Sequence, residues 1–306
     1  MARTGWNLRS GIREGSGSAW EAQATKISNL LFPITDALPP CACVRSMCGK
    51  AGLAAYLKSK HMIISWFSAG ITSAVACKLA VENFNDVRLF YIETGSHHAD
   101  NLRFLADCEK WIGQKIEIVR SQKYTDVSDV ILSRRFINSP GGASCTDVLK
   151  KQVRRDLHRK LKPSAHVMGF EYEKFEIERA NNFRQRHPEA NFIFPLIDFM
   201  LSKNECAGIV SLAGIKLPEM YLLGYEHNNC IGCVKGGMGY WNKIRRDFPD
   251  VFQARAAEER EVGATCINGI YLDELDPNAG LDQKEIMPDC GIFCQYEHAD
   301  LLYHRG

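Results

Sequence analysis

The stretch MIISWFSAGITSAVACKLA, residues 62–80, decides the fold. Residues 62–67 are a short, mostly apolar run that reads as a buried strand. Ser68, Ala69, Gly70, Ile71, Thr72 and Ser73 follow as a turn of small and hydroxyl residues, and a helical pattern runs from Ser73 to about Asn83. A strand that passes through such a turn into a helix leaves backbone N–H groups at a helix N-terminus with no bulky side chain in front of them, which suits an anion. Ser68, Thr72 and Ser73 add hydroxyl donors, and Gly70 permits close backbone approach. The loop follows neither GxxxxGK[ST] nor GxGxxG, so it predicts a phosphate site without naming the nucleotide.

The same alternation continues along the chain. VRLFYIE (87–93), KIEIVRS (115–121), AHVMGF (165–170) and NFIFPLID (191–198) read as strands. Residues 99–112, 126–135, 144–160 and 172–186 read as helices, and 240–262 as one or two more. Ser202-Lys203-Asn204-Glu205 is a capping box for a helix that stops near Gly214. Apolar strands alternating with helices predict an α/β fold with a parallel sheet covered on both faces, a three-layer sandwich. Ligands of such sheets sit outside the carboxyl ends of the strands, so residues there carry most weight. Residues 1–61 are linker-like without sustained period and are expected to be a poorly ordered extension. Residues 62–263 are expected to form the nucleotide-binding domain, and 264–306 an irregular, acidic tail containing Cys290 and Cys294.

The chain has 306 residues, a formal charge of +2 and 45% hydrophobic residues, enough to bury a substantial core. No apolar run approaches the roughly 18 residues of a membrane span. The first residues lack the apolar centre of a signal peptide, so a cytoplasmic protein is expected. Near-neutral charge argues against a general nucleic-acid coat. Twelve cysteines in a reducing compartment point to metal or thiol chemistry where spacings are short. Cys77, Cys108 and Cys206 lie in helical patterns and read as small core residues.

Four further segments carry candidate chemistry. In YIETGSHHADNLRF (91–104), Glu93 and Thr94 share a crevice with the first loop if the two strands are neighbours, and His97 and His98 read as polar lining. Cys145 opens a very basic segment, residues 150–162, with Lys150, Lys151, Arg154, Arg155, Arg159 and Lys160. A helix N-terminus stabilises a thiolate, and the charges read either as a solvated face or as a surface for phosphate or nucleic acid. Cys230-x2-Cys233 lies in a glycine-rich loop and fits half of a four-thiolate zinc or iron–sulfur site, or a redox dithiol. Cys290-x3-Cys294 would complete a metal site or carry a nucleophile.

Taken in order, these segments resemble the phosphoadenosine phosphosulfate (PAPS) reductase family of the PP-loop ATP pyrophosphatases, in a form often carried by phages and mobile elements. SAGITS (68–73) is similar to SGGxDS. ETGSHHADNLRF is similar to DTGxxxxET, with Glu93, Thr94 and Gly95 leading it. MGFEYEKFEIERA resembles the later strand–loop–helix that closes over the nucleotide, with Gly169, Glu178 and Arg179 in place. SCTDVLKK resembles the Cys-Cys-x-x-x-K segment, CIGC the later CxxC, and DCGIF the terminal ECG[LI]H motif. The resemblance implies an adenine-nucleotide alpha-hydrolase-like fold and an adenine nucleotide, PAPS, adenylyl sulfate or ATP, held by Ser68, Ala69, Gly70, Thr72, Ser73, Glu93, Thr94, Gly95, Gly169 and Arg179. It implies Cys290 as nucleophile. A [4Fe–4S] cluster, or else zinc, would fall to Cys145, Cys230 and Cys233 with Cys294.

Thr72 stands where the family has aspartate, Thr146 where it has the second cysteine, and Phe293 where it has histidine. Three activities follow as expectations. The first is thiol-dependent reduction of a sulfonucleotide to sulfite, with a thioredoxin-like donor. The second is adenylation by ATP followed by thiolation of tRNA or DNA. The third is a non-enzymatic nucleotide-binding module with structural zinc. A homo-oligomer is expected.

Overall fold

The computed structural model describes residues 62–139, 142–188 and 190–281. The expected extension 1–61, and Cys290 and Cys294 in the tail, lie outside the described residues. The elements are β1 (Ile63–Phe67), α1 (Ile71–Asn83), β2 (Val87–Glu93), α2 (Asp100–Ile112), β3 (Ile116–Arg120), α3 (Val127–Arg134), β4 (Asn138–Ser139) and β5 (Gly142–Ala143). Next come α4 (Ser144–Thr146), a π-helical turn (Asp147–Lys151), α5 (Gln152–Leu161), β6 (Ala165–Val167), α6 (Lys174–Arg186) and β7 (Phe192–Ile193). The described part ends with α7 (Pro195–Asp198), α8 (Lys203–Leu212), α9 (Glu219–Leu222), α10 (Met238–Asp247), α11 (Pro249–Val262) and a 3-10 turn (Leu272–Glu274).

Five strands form one parallel sheet in the order β3-β2-β1-β6-β7. β1 is central and buried along its length, as its mostly apolar run requires, and the buried Ser65 hydroxyl meets the Cys77 thiol at 3.2 Å. On the edge strand β3 Ile116 is buried, while Ile118 and Arg120 farther along the same face are exposed. α1 leaves β1 directly and is buried over most of its surface, so its sequence is apolar nearly all round. The order reverses between β1 and β6, and the crevice at this switch point is where such sheets hold ligands.

Several elements differ from the sequence expectation. The strand expected over 165–170 ends at Val167, and the chain then leaves the sheet to run beside the start of α1. NFIFPLID is a two-residue strand followed by a helical turn, because Pro195 has no N–H for a ladder but suits a first helical position. The single helix expected over 144–160 contains a π-turn at Asp147–Lys151, which changes the facing of every basic residue beyond it. Residues 240–262, expected as one or two helices, form two, with Pro249 starting the second. The capping box at Ser202 and Glu205 forms as expected.

A second apolar cluster gathers α3, α10 and α11 around Trp241, Tyr240 and Ile131, and Cys266, Leu272 and Leu275 belong to it. Glu259 ties that segment down by accepting the N–H groups of Cys266 (2.5 Å) and Leu272 (2.6 Å). The expected boundary at residue 263 thus falls inside a shared core.

Candidate active site

A cavity of about 430 Å³ opens at the carboxyl ends of β1, β2 and β6. Its floor is the loop between β1 and α1. Ser73 Oγ accepts the Ser68 N–H at 3.0 Å and donates to the Gly70 carbonyl at 2.8 Å, pinning the turn to the first turn of α1. Ala69 adopts a left-handed φ of 59°, a conformation that favours glycine. The loop therefore has a physical reason for glycine at this position, and alanine carries a backbone strain there of about 1–2 kcal/mol.

Distant residues close over the loop. Asn228 Nδ2 donates to the Ala69 carbonyl (2.7 Å) and to Asn101 Oδ1 (2.8 Å). The Tyr221 hydroxyl stands 3.3 Å from where a Cβ on Gly70 would lie. Burial pushes the Tyr221 phenol up, against the pull of the Ile71 and Asn228 amides, so it stays a neutral donor.

A second wall comes from the end of β2. His97 lies 3.3 Å from Glu93 Oε1 and 2.8 Å from the Tyr91 hydroxyl. Burial disfavours a charged imidazole here, but Cys230 and Glu93 outweigh it and raise His97 to about 9. Burial likewise pushes Glu93 up, yet the His97 contact and the Gly95 amide bring it down to about 2. Cys230 Sγ lies 3.1 Å from Thr94 Oγ1.

The third wall is the segment after β6. Arg179 stacks over Phe170 with its guanidinium 4.0 Å from the ring centre, and grips both Glu176 oxygens at 2.8 and 3.0 Å. Glu171 and Glu173 also line the cavity, as do Lys150 and Lys203. Burial raises the Glu171 carboxyl, while Lys203 draws it back.

Of the residues expected at the site, Ser68, Gly70, Thr72, Ser73, Gly169 and Arg179 line the cavity. Ala69, Glu93, Thr94 and Gly95 are outside its lining, with Glu93 acting on it through His97. Gly95, at φ 73°, is pressed against Thr125, whose carbonyl oxygen would be 2.2 Å from a Cβ. Glu178 is exposed and away from the cavity; Glu176 occupies the wall instead.

Cys145, Cys230 and Cys233 are buried in the cluster around Trp241. The Tyr240 hydroxyl organises the CxxC turn by accepting the Cys233 N–H (3.0 Å) and donating to the Cys230 carbonyl (3.2 Å). Among the described residues no group of three or more His, Cys, Asp or Glu side chains converges as a metal site, and Cys294, the fourth expected ligand, lies outside them. The basic segment 150–162 is not one face. Lys150 lines the cavity, Lys151 and Arg154 are buried, and Arg155 and Arg159 pair with Asp147 and Asp156.

Tyr91, Lys203, Tyr221 and Asn228 escaped the sequence reading. Asn228 alone has a local signal, the polar run 226–229 immediately before CIGC.

A parallel sheet with a hydroxyl-rich loop under a cavity at its switch point defines an α/β protein of the ligand-at-the-strand-ends class. The chain belongs to the phosphoadenosine phosphosulfate reductase domain family, whose model matches residues 62–236. A protein of Methanocaldococcus jannaschii, itself uncharacterised, is 22% identical over 202 residues, 64% of this chain and 47% of that protein. The chain thus spans about half the length of this curated relative. The PAPS reductase of Candida auris, solved as a phosphate complex, aligns with a TM-score of 0.44 at 11% identity over 59% of this chain and 86% of that one. Among the described residues no helix is long and apolar enough to cross a membrane.

Proposed function

We propose that the protein binds an adenine sulfonucleotide in this cavity and reduces it to sulfite at the expense of a thiol donor. The observation that carries the reading is the Ser68–Gly70–Ser73 hydrogen-bonded loop, which presents the N-terminus of α1 to a cavity also reached by Lys150 and Lys203. The loop would hold the 5′-phosphate, and the lysines would screen the charge beside it. The Cys290 thiolate attacks the sulfur, and the sulfur–oxygen bond breaks with its electron pair leaving on the nucleotide phosphate. A donor thiolate then attacks the Cys290 sulfur and sulfite departs with the bonding pair. The donor's second thiol resolves the mixed disulfide, so a thioredoxin-like dithiol is oxidised as the sulfonucleotide is reduced.

A second reading is adenylation by ATP followed by sulfur transfer to a nucleic acid. It is favoured by the contact of His97, which lines the cavity, with a cysteine of the CxxC pair.

The two separate in one assay. The full chain, purified without oxygen, is incubated with adenylyl sulfate and a dithiol, or with ATP. Sulfite without pyrophosphate is expected. Pyrophosphate from ATP, with no sulfite from the sulfonucleotide, would overturn the first reading in favour of the second.

A further inference from the structure

The charge of the cavity and its vacant acceptors specify which adenine nucleotide it suits. Four cationic side chains line it, Lys150, Arg179, Lys203 and His97, against three carboxylates, Glu171, Glu173 and Glu176, and the charge of His97 is answered from behind the wall by Glu93. Arg179 is already gripped by both oxygens of Glu176, so its charge is largely spent inside the wall. A wall with this balance suits a ligand of modest negative charge.

The position of the acidic wall matters as much as its charge. Gly169 is pressed against the first turn of α1, with a Cβ there only 2.8 Å from Ser73 Cα. The segment that carries Glu171, Glu173 and Glu176 therefore starts immediately beside the phosphate loop. A ligand anchored in the loop by one phosphate chain has its remaining groups facing that segment.

Two oxygens in the same lining are buried without a hydrogen-bond partner among the described residues, Glu171 Oε2 and Asn228 Oδ1. Asn228 is 6% exposed and spends its amide donors on Ala69 and Asn101, so its orientation, with Oδ1 left over, is fixed. A buried acceptor left vacant is costly. Both are satisfied by a ligand that brings donors, such as hydroxyl or amino groups, and by neither a phosphate nor a sulfate oxygen.

We propose that the cavity selects an adenine nucleotide whose ribose hydroxyls are free and rejects one carrying a 3′-phosphate. This rests on the reading of the cavity as a nucleotide site. The substrate class is then adenylyl sulfate, or ATP under the second reading, in place of the 3′-phosphorylated compound for which the family is named. The ribose hydroxyls donate to the vacant acceptors. A 3′-phosphate removes a donor and sets a dianion against Glu171 and Glu173.

The test is equilibrium titration of the full chain with AMP and with adenosine 3′,5′-bisphosphate, which differ in the 3′-phosphate alone. AMP is expected to bind at least about tenfold more tightly. In Glu173→Gln, an exposed position that leaves packing unchanged, and in Glu171→Gln, the bisphosphate gains affinity and the ratio shrinks severalfold. Equal or tighter binding of the bisphosphate by the wild type overturns the proposal, as does a ratio unmoved in both variants. Binding of neither nucleotide overturns instead the reading of the cavity on which the proposal stands.

Discussion

Gly169 and Ser73 meet back to back: a Cβ on Gly169 would lie 2.8 Å from Ser73 Cα and 2.9 Å from its amide nitrogen. This contact sets the end of β6 against the start of α1, and so joins the acidic wall to the loop from Ser68 to Ser73. Backbone atoms cannot retreat as a flexible side chain can. Gly169→Ala is expected to cost about 1–3 kcal/mol by overpacking, and to weaken nucleotide binding because the loop itself must shift. Urea unfolding and a binding titration check it; a variant with both values unchanged would contradict the geometry.

Thr72 lines the cavity in the first turn of α1, a turn with no acidic residue. Thr72→Asp places a carboxylate where the helix dipole welcomes it, stabilising the fold by about 0.3–1 kcal/mol. The same charge faces the incoming phosphate and is expected to weaken adenylyl sulfate binding about tenfold. The melting midpoint and the affinity should therefore move in opposite senses. A variant that binds adenylyl sulfate more tightly would contradict the placement of the phosphate.

His166 sits on β6 at 1% exposure, accepting from Trp66 Nε1 at 3.1 Å and lying 3.0 Å from His158 Nδ1. Burial, followed by the charges of His158 and Arg154, holds its pKa down to about 3, against about 6.5 for an imidazole in water. The unfolded chain therefore takes up a proton first as pH falls. Stability from this group is intact above pH 6.5 and is lost progressively from there down towards pH 3. At pH 5 the loss is about 2 kcal/mol. His166→Gln should flatten the pH dependence of the unfolding free energy between pH 7 and 5. An unchanged slope would show that His166 is not held neutral.

The sheet was legible because buried parallel strands need continuous apolar runs, and β1, β2 and the capping box of α8 lie where their patterns put them. The strand–turn–helix from Ile63 to Asn83 was legible for the same local reason, whereas its ligand is a proposal. What escaped depends on distance or on phase. Asn228 reaches the Ala69 carbonyl across 159 positions, a pairing to which no local period points. The basic segment looked like a surface, but a π-turn rotates it, sending Lys150 to the cavity while Lys151 and Arg154 are buried. Glu178 and Glu176 look alike in sequence, and their facing on α6 decides that Glu176 holds Arg179. The end of β6 is not legible in the sequence because Met168 and Phe170 are apolar and buried, as a strand would have them, although they follow the strand's last residue, Val167.

The central claim is that an adenine sulfonucleotide sits on the loop from Ser68 to Ser73. The most direct measurement is calorimetric titration of adenylyl sulfate into wild type and into Gly70→Val. Gly70 has ordinary extended backbone angles, so valine meets no backbone strain there, but its Cβ would stand 3.3 Å from the Tyr221 hydroxyl and 3.4 Å from Ser68 Oγ, so that these side chains must give slightly and its branches fill the anion's place. Saturable binding by wild type and its loss in a folded Gly70→Val protein are predicted. Equal affinity in the two proteins would contradict the account.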